Sequence, residues 1–219
     1  MFIRVKYIKN QPYAYKVENR WTRKGTRQRT AGYLGRIFYL TPQNPLSFED
    51  HIKPRVLEEY LKNLSSREII LDLVRFELIR HGFKPKGKNK NILFLEQFEG
   101  DNSKGNNSPV LKAMLKAELA PSILTITDTK KPVVLAINND FLCDYTLRKL
   151  ARFKSLSDEE ECGRELAKAF IHAGMPPPPL LFVDVFQKVY SSLGSYVKGP
   201  LESPTVSATN PANQVKVNI

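Results

Sequence analysis

Residues 1–40 read MFIRVKYIKNQPYAYKVENRWTRKGTRQRTAGYLGRIFYL, and this stretch decides what kind of fold the chain begins with. Ile3, Val5 and Tyr7 alternate with Arg4 and Lys6, the period-2 pattern of a strand with one buried face. Asn10-Gln11-Pro12 interrupts the pattern as a turn. Tyr13, Tyr15 and Val17 then alternate with Ala14, Lys16 and Glu18, which predicts a second strand antiparallel to the first. Trp21-Thr22-Arg23-Lys24-Gly25 reads as a basic loop, with Gly25 free to take a positive φ. A third strand runs from Arg27 and Arg29 to Tyr33-Leu34-Gly35, and Arg36 to Leu40 makes a fourth short one. The spacing is expected to bring Arg4, Lys6, Lys16, Arg27 and Arg29 onto one face.

The charge of the whole chain points to the same segment. Among 219 residues the formal net charge is +12. Ten cations lie in residues 1–40, namely Arg4, Lys6, Lys9, Lys16, Arg20, Arg23, Lys24, Arg27, Arg29 and Arg36, against the single acid Glu18. Lys84, Lys86, Lys88 and Lys90 form a second basic block, and the remainder is nearly balanced. A surface charged only for solubility mixes both signs, so the segregation calls for a polyanionic partner, with nucleic acid first and an anionic membrane surface second. Arginine's planar fork suits phosphate oxygens, and Trp21 on the loop is placed to stack on a base or sugar. The expected nucleic-acid contacts are Arg4, Lys6, Lys16, Arg20, Trp21, Arg23, Lys24, Arg27, Arg29 and Arg36.

Three parts of this segment also carry a resemblance: the Ile3-Arg4-Val5-Lys6 opening, the Tyr13-Ala14-Tyr15-Lys16-Val17-Glu18 strand, and Arg27-Gln28-Arg29 to Tyr33-Leu34-Gly35. Together, over about residues 2–36, they resemble the N-terminal β-domain ahead of some insertion-sequence DDE transposases. The same hairpin pattern opens a set of uncharacterised archaeal proteins. In the transposases this domain is thought to contact DNA, so the resemblance implies binding and says nothing about catalysis.

The remaining chain predicts an α+β fold, with the small antiparallel β-domain of residues 1–40 followed by a mainly helical region with a small sheet. Residues 41–53 (TPQNPLSFEDHIK) read as a linker. From Pro54 to His81 apolar residues recur at helical spacing, with a restart at Ser65 as N-cap and Glu68 in capping-box position. KPKGKNKN (84–91) reads as a basic loop, Ile92 to Phe98 as a strand and residues 100–109 as a flexible loop. Val110 to Leu119 is expected to be a helix, and Ser122–Thr127 and Pro132–Ile137 to be two strands joined by a turn. Helices are expected over Asp140–Phe153, Ser157–Ala173 and Leu180–Ser191, the second capped by Ser157. The helical domain spans 54–195, and the polar, proline-dotted residues 199–219 are expected to be disordered.

Motifs for chemistry are sparse. The chain has no GxxxxGK[ST], no GxGxxG after a strand, no HExxH and no GxSxG, and no cofactor is expected. Cys143 and Cys162 lack metal or disulfide spacing and read as buried, reduced thiols. His51, His81 and His172 are far apart in sequence, and His81 sits at a helix end. Asp128, Asp140 and Asp144 are the acids near expected strand ends that a metal-dependent nuclease or transposase-related enzyme would need to bring together. The helix pair flanking Pro176–Pro179 is joined too stiffly for a helix-turn-helix. No apolar run approaches the roughly 20 residues of a spanning helix, and MFIRVKYIK has no signal-peptide core. The reading is therefore a cytoplasmic, non-catalytic binder of DNA or RNA, with a possible protein partner for its helical domain and no membrane contact. The alternative is a protein-interaction subunit of an RNA-bearing machine such as a ribosome-associated factor.

Overall fold

A computed structural model describes residues 1–52, 57–85, 87, 89–99, 110–120 and 123–197. In chain order the elements are β1 (Phe2–Ile8), β2 (Gln11–Thr22), β3 (Gly25–Tyr39), α1 (Phe48–Ile52), α2 (Leu57–Asn63), α3 (Ser66–Arg80), β4 (Lys84–Pro85), β5 (Ile92–Glu99), β6 (Val110–Ala120), β7 (Ile123–Asp128), β8 (Lys131–Ile137), β9 (Asp140–Leu142), α4 (Asp144–Ala151), α5 (Glu159–His172) and α6 (Pro179–Val197). The class is α+β, with the antiparallel β-region first, as the sequence predicts.

The strands join in the order β1-β2-β3-β8-β7-β6-β5-β4, with β9 on β8. Two-residue turns set much of this register. Lys9-Asn10, Thr129-Lys130 and Asn138-Asn139 all have positive φ, the conformation whose twist suits the tightest hairpins. The first turn thus falls at Lys9-Asn10, and Gln11 and Pro12 already belong to β2. The third and fourth strands expected in this segment are one continuous β3.

The end of β3 ties the basic segment to the rest of the chain. Arg36 to Tyr39 pair in parallel with Val133 to Ala136 of β8. Gly35 permits the approach: its φ is +140°, and a Cβ there would collide with the Pro132 carbonyl. β8 is buried on both sides, as its unbroken apolar run requires. Val133, Leu135 and Ile137 enter the large core with the helices, while Val134 joins Ala14, Ile37 and Cys143 in a small cluster on the other side. β7 and β8 pair only beside their shared turn, Thr127 with Pro132 and Asp128 with Lys131.

Several expectations are corrected. The stretch Val110–Leu119 is strand β6, not a helix. Its Leu, Ala, Lys and Glu favour helix in isolation, but Ala113, Leu115, Ala117 and Leu119 alternate into the core, and β5 and β7 take up its backbone groups on both edges. The expected helix Asp140–Phe153 starts late, because Asn138-Asn139 turns the chain and Asp140–Leu142 pairs back onto β8. Asp158, not Ser157, caps α5: its carboxylate accepts the Glu161 amide at 2.6 Å. Residues 41–53, expected as a linker, include α1, whose Phe48 and Ile52 are buried, and the Gln43 and Asn44 amides donate to the Arg80 carbonyl. The Ser65–Glu68 capping box is present at the start of α3. The tail 199–219 and the loop 100–109 lie outside the described residues. Among those described, no helix is long and apolar enough to cross a membrane.

Candidate nucleic-acid interface

β2 and β3 are longer than their other neighbours require. β1 pairs with β2 only as far as Val17, and β8 meets β3 only from Arg36 onward. Between these limits, Glu18–Thr22 and Gly25–Arg29 pair with each other alone. The outcome is a two-stranded ribbon with no third strand at either edge, closed by Arg23-Lys24. Gly25 (φ +96°) completes the turn, and the Thr22 hydroxyl donates to its carbonyl at 2.7 Å.

Register places the cations on the ribbon. Arg20 stands directly opposite Arg27, Glu18 opposite Arg29, and Trp21 opposite Thr26. Arg20, Arg23, Lys24, Arg27 and Arg29 are all exposed, and Trp21 is 80% exposed. Among the described residues none of these five cations has a hydrogen-bond or ion-pair partner. Two like charges directly opposite each other destabilise a strand pair, so the Arg20–Arg27 pairing does not serve the sheet.

The ten residues expected to touch nucleic acid do not share one face. Cross-strand partners project to the same side, so Arg4, Lys6 and Arg36 lie on one side with Tyr15, Tyr13 and Trp21, while Lys16, Arg20, Arg27 and Arg29 lie on the other. The β1–β2 hairpin sets the split, because its turn at Lys9-Asn10 pairs Arg4 with Tyr15 and Lys6 with Tyr13, so both project away from the side of Lys16. β3 accommodates extra residues at Ala31 and Leu34, as bulges opposite the Lys16/Val17 and Ala14/Tyr15 steps of β2; each reverses the inside–outside phase, so together they shift only Gly32 and Tyr33 and leave Arg27 and Arg29 where plain alternation from Arg36 puts them. The structure thus groups Arg20, Trp21, Arg23, Lys24, Arg27 and Arg29 on a ribbon open on both faces, and it sets the other four residues at its root.

At the root, Arg4 donates to the Gln28 side chain at 2.6 Å. Lys6 Nζ sits 4.9 Å from the Tyr15 ring centroid, and the Arg36 guanidinium is 4.8 Å from that of Phe38. Lys16, half-buried, lies on the opposite side, 4.9 Å from the Tyr145 ring. The tyrosines, which mark strands in the sequence, also form a cluster of their own. Tyr33 packs against Tyr13 and Tyr15 with ring centroids 6.3 and 5.5 Å away. Burial first, and then the neighbouring phenols, raises the Tyr33 pKa above its ordinary value. The Tyr13-x-Tyr15 alternation contained this signal, but Tyr33 joins them only through the β3 bulges.

The candidate acids have structural partners instead. Asp128 lies in the β7–β8 turn pairing, Asp140 accepts the Phe141 amide at 2.9 Å, and Asp144 accepts Arg148 Nε at 2.9 Å. Among the described residues no group of three or more His, Cys, Asp and Glu is placed to hold a metal ion. Cys143 and Cys162 are free and buried, and burial raises the Cys143 thiol pKa. His51 packs on Phe48 and Phe76, and burial lowers its pKa. His81 is fully buried at the end of α3, with Nδ1 donating to the Glu77 carbonyl at 2.8 Å. Of the second basic block, Lys84 and Lys90 are exposed, while Lys86 and Lys88 lie outside the described residues.

Comparison of the chain with protein-family models, with curated proteins and with solved structures finds no match.

Proposed function

We propose that this chain is a non-catalytic, cytoplasmic nucleic-acid-binding protein whose β2–β3 ribbon grips a phosphate backbone. The observation behind this reading is the Arg20–Arg27 pairing within a ribbon of five unpartnered, exposed cations. Repulsion between directly opposed arginines is relieved when an anion lies between or beside them. The ribbon's dimensions suit such a ligand. Its paired residues extend roughly 15–20 Å at about 3.3 Å per residue, and a major groove about 12 Å wide admits a two-stranded ribbon. Arg20, Arg27 and Arg29 share one side of the ribbon and Arg23-Lys24 close its tip, so that side and the tip meet phosphates. The resemblance of residues 2–36 to the β-domain of insertion-sequence DDE transposases supports the same reading.

Contacts of this kind position the protein and carry no base information by themselves. The test is a titration of the native chain with duplex DNA, single-stranded DNA and RNA at two salt concentrations. Binding that weakens steeply with salt supports the reading, because each phosphate contact releases close to one counterion. Binding to none of the three polymers overturns it.

A further inference from the structure

One face of the β1–β2–β3 root is built of aromatic rings and cations and is not covered by the large core. Tyr33 is 49% exposed, and it closes a triad with the half-buried Tyr13 and Tyr15. Register surrounds the triad with positive charge: Lys6 stands opposite Tyr13 on one side and Arg36 opposite it on the other, with Arg4 opposite Tyr15. Lys6 Nζ already lies over the Tyr15 ring. The Arg36 Nε is buried without a hydrogen-bond partner. Among the described residues no acid forms an ion pair with Arg4, Lys6 or Arg36. The opposite face of these strands is covered, with Ile3, Val5 and Leu34 packed against Ala14, Ile37, Val134 and Cys143.

Cross-strand tyrosines that only stabilised a sheet would not need three cations and no acid around their rim. Rings beside cations match a ligand that offers flat π-surfaces and phosphates together. Within a duplex the base faces are stacked against one another and out of reach, whereas an unpaired nucleotide exposes them. We propose that the Tyr13–Tyr15–Tyr33 face binds unpaired nucleotides, their bases stacking on Tyr33 and their phosphates meeting Arg4, Lys6 and Arg36. This inference rests on the nucleic-acid reading given above. Trp21 lies on the same side of β2, six residues beyond Tyr15, or about 20 Å along the strand, so a strand leaving the triad meets a second exposed ring. A ligand served by both parts is a duplex with a single-stranded extension, the duplex on the ribbon and the extension across the tyrosines.

The experiment uses the full chain and three labelled probes: a blunt duplex, the same duplex with a pyrimidine single-stranded extension, and that duplex with an abasic extension of equal length. The extended duplex is expected to bind roughly tenfold more tightly than the blunt one, the effect of one or two stacked bases. The abasic extension should recover little of that gain. Tyr33→Leu should abolish most of the gain and Tyr33→Phe should keep it, because the ring is what stacks. Equal affinity for blunt and extended duplex, or equal gain from the abasic extension, overturns the tyrosine platform while leaving the ribbon's role standing. Binding to the extended probe but not the blunt duplex supports the platform and removes the ribbon's role. No binding to any probe overturns both.

Discussion

Arg20 and Arg27 face each other across the β2–β3 ribbon, in the part of the two strands that no third strand joins. Like charges in such a pair oppose folding by roughly 0.2–1 kcal/mol. Replacing Arg27 with Thr, a good strand former, is therefore expected to raise the melting temperature of the free protein slightly. The gain should shrink in about 1 M salt, where the screening length falls to about 3 Å. Thermal melts of both proteins at low and high salt check this. A destabilised variant would mean that Arg27 has a structural partner after all.

Gly35 is where the basic segment meets β8. Gly35→Ala places a Cβ on the Pro132 carbonyl at a φ that L side chains rarely adopt. Strain and overpacking each cost about 1–3 kcal/mol, so a loss of roughly 2–4 kcal/mol is expected in denaturant titrations. Gly32→Ala, where a Cβ meets nothing within 4 Å, is expected to be far milder. Equal effects at the two glycines would show that the β3–β8 approach is looser than described.

Much of this architecture was legible in the chain, and the failures have identifiable causes. The Ser65–Glu68 capping box announced α3, and the alternation from Ile3 to Val17 announced β1 and β2. Val110–Ala120 misled because residues such as Leu111, Leu115 and Leu119 fit a helical period as well as a strand period, and only neighbouring strands decide between them. The charge segregation singled out the segment that forms the cationic ribbon. It did not locate the face, because the side of Arg4 and Lys6 relative to Lys16 depends on the Lys9-Asn10 turn, which pairs them with Tyr15 and Tyr13, and the place of Tyr33 depends on the β3 insertions at Ala31 and Leu34. Nothing in the local sequence marks Ala31 as a bulge. The union of β3 with β8 was likewise invisible, since the partners are nearly a hundred residues apart and parallel pairing leaves no turn to read.

Glu77 gives a pH prediction. Its carboxyl is 1% exposed and accepts from Asn138 Nδ2 at 3.0 Å, with Arg80 and His81 both 3.5 Å away. Burial outweighs these partners and raises its pKa above the ordinary value of 4.5. The folded protein therefore holds this proton to higher pH than the unfolded chain does. Its stabilising contribution is fully present below 4.5 and is lost as pH rises through the raised value. Glu77→Gln, which cannot ionise, should flatten the decline in stability over that window. Urea midpoints across the pH series would show it, and parallel curves for the two proteins would contradict it.

The central claim is that the ribbon arginines meet phosphates, and the salt dependence of binding tests it most directly. The slope of log affinity against log salt for duplex DNA is to be compared between the native chain and the Arg20→Ala/Arg27→Ala double variant. Loss of two phosphate contacts predicts weaker binding and a slope shallower by about 1.8, at roughly 0.9 per contact. Unchanged affinity and an unchanged slope would contradict the account.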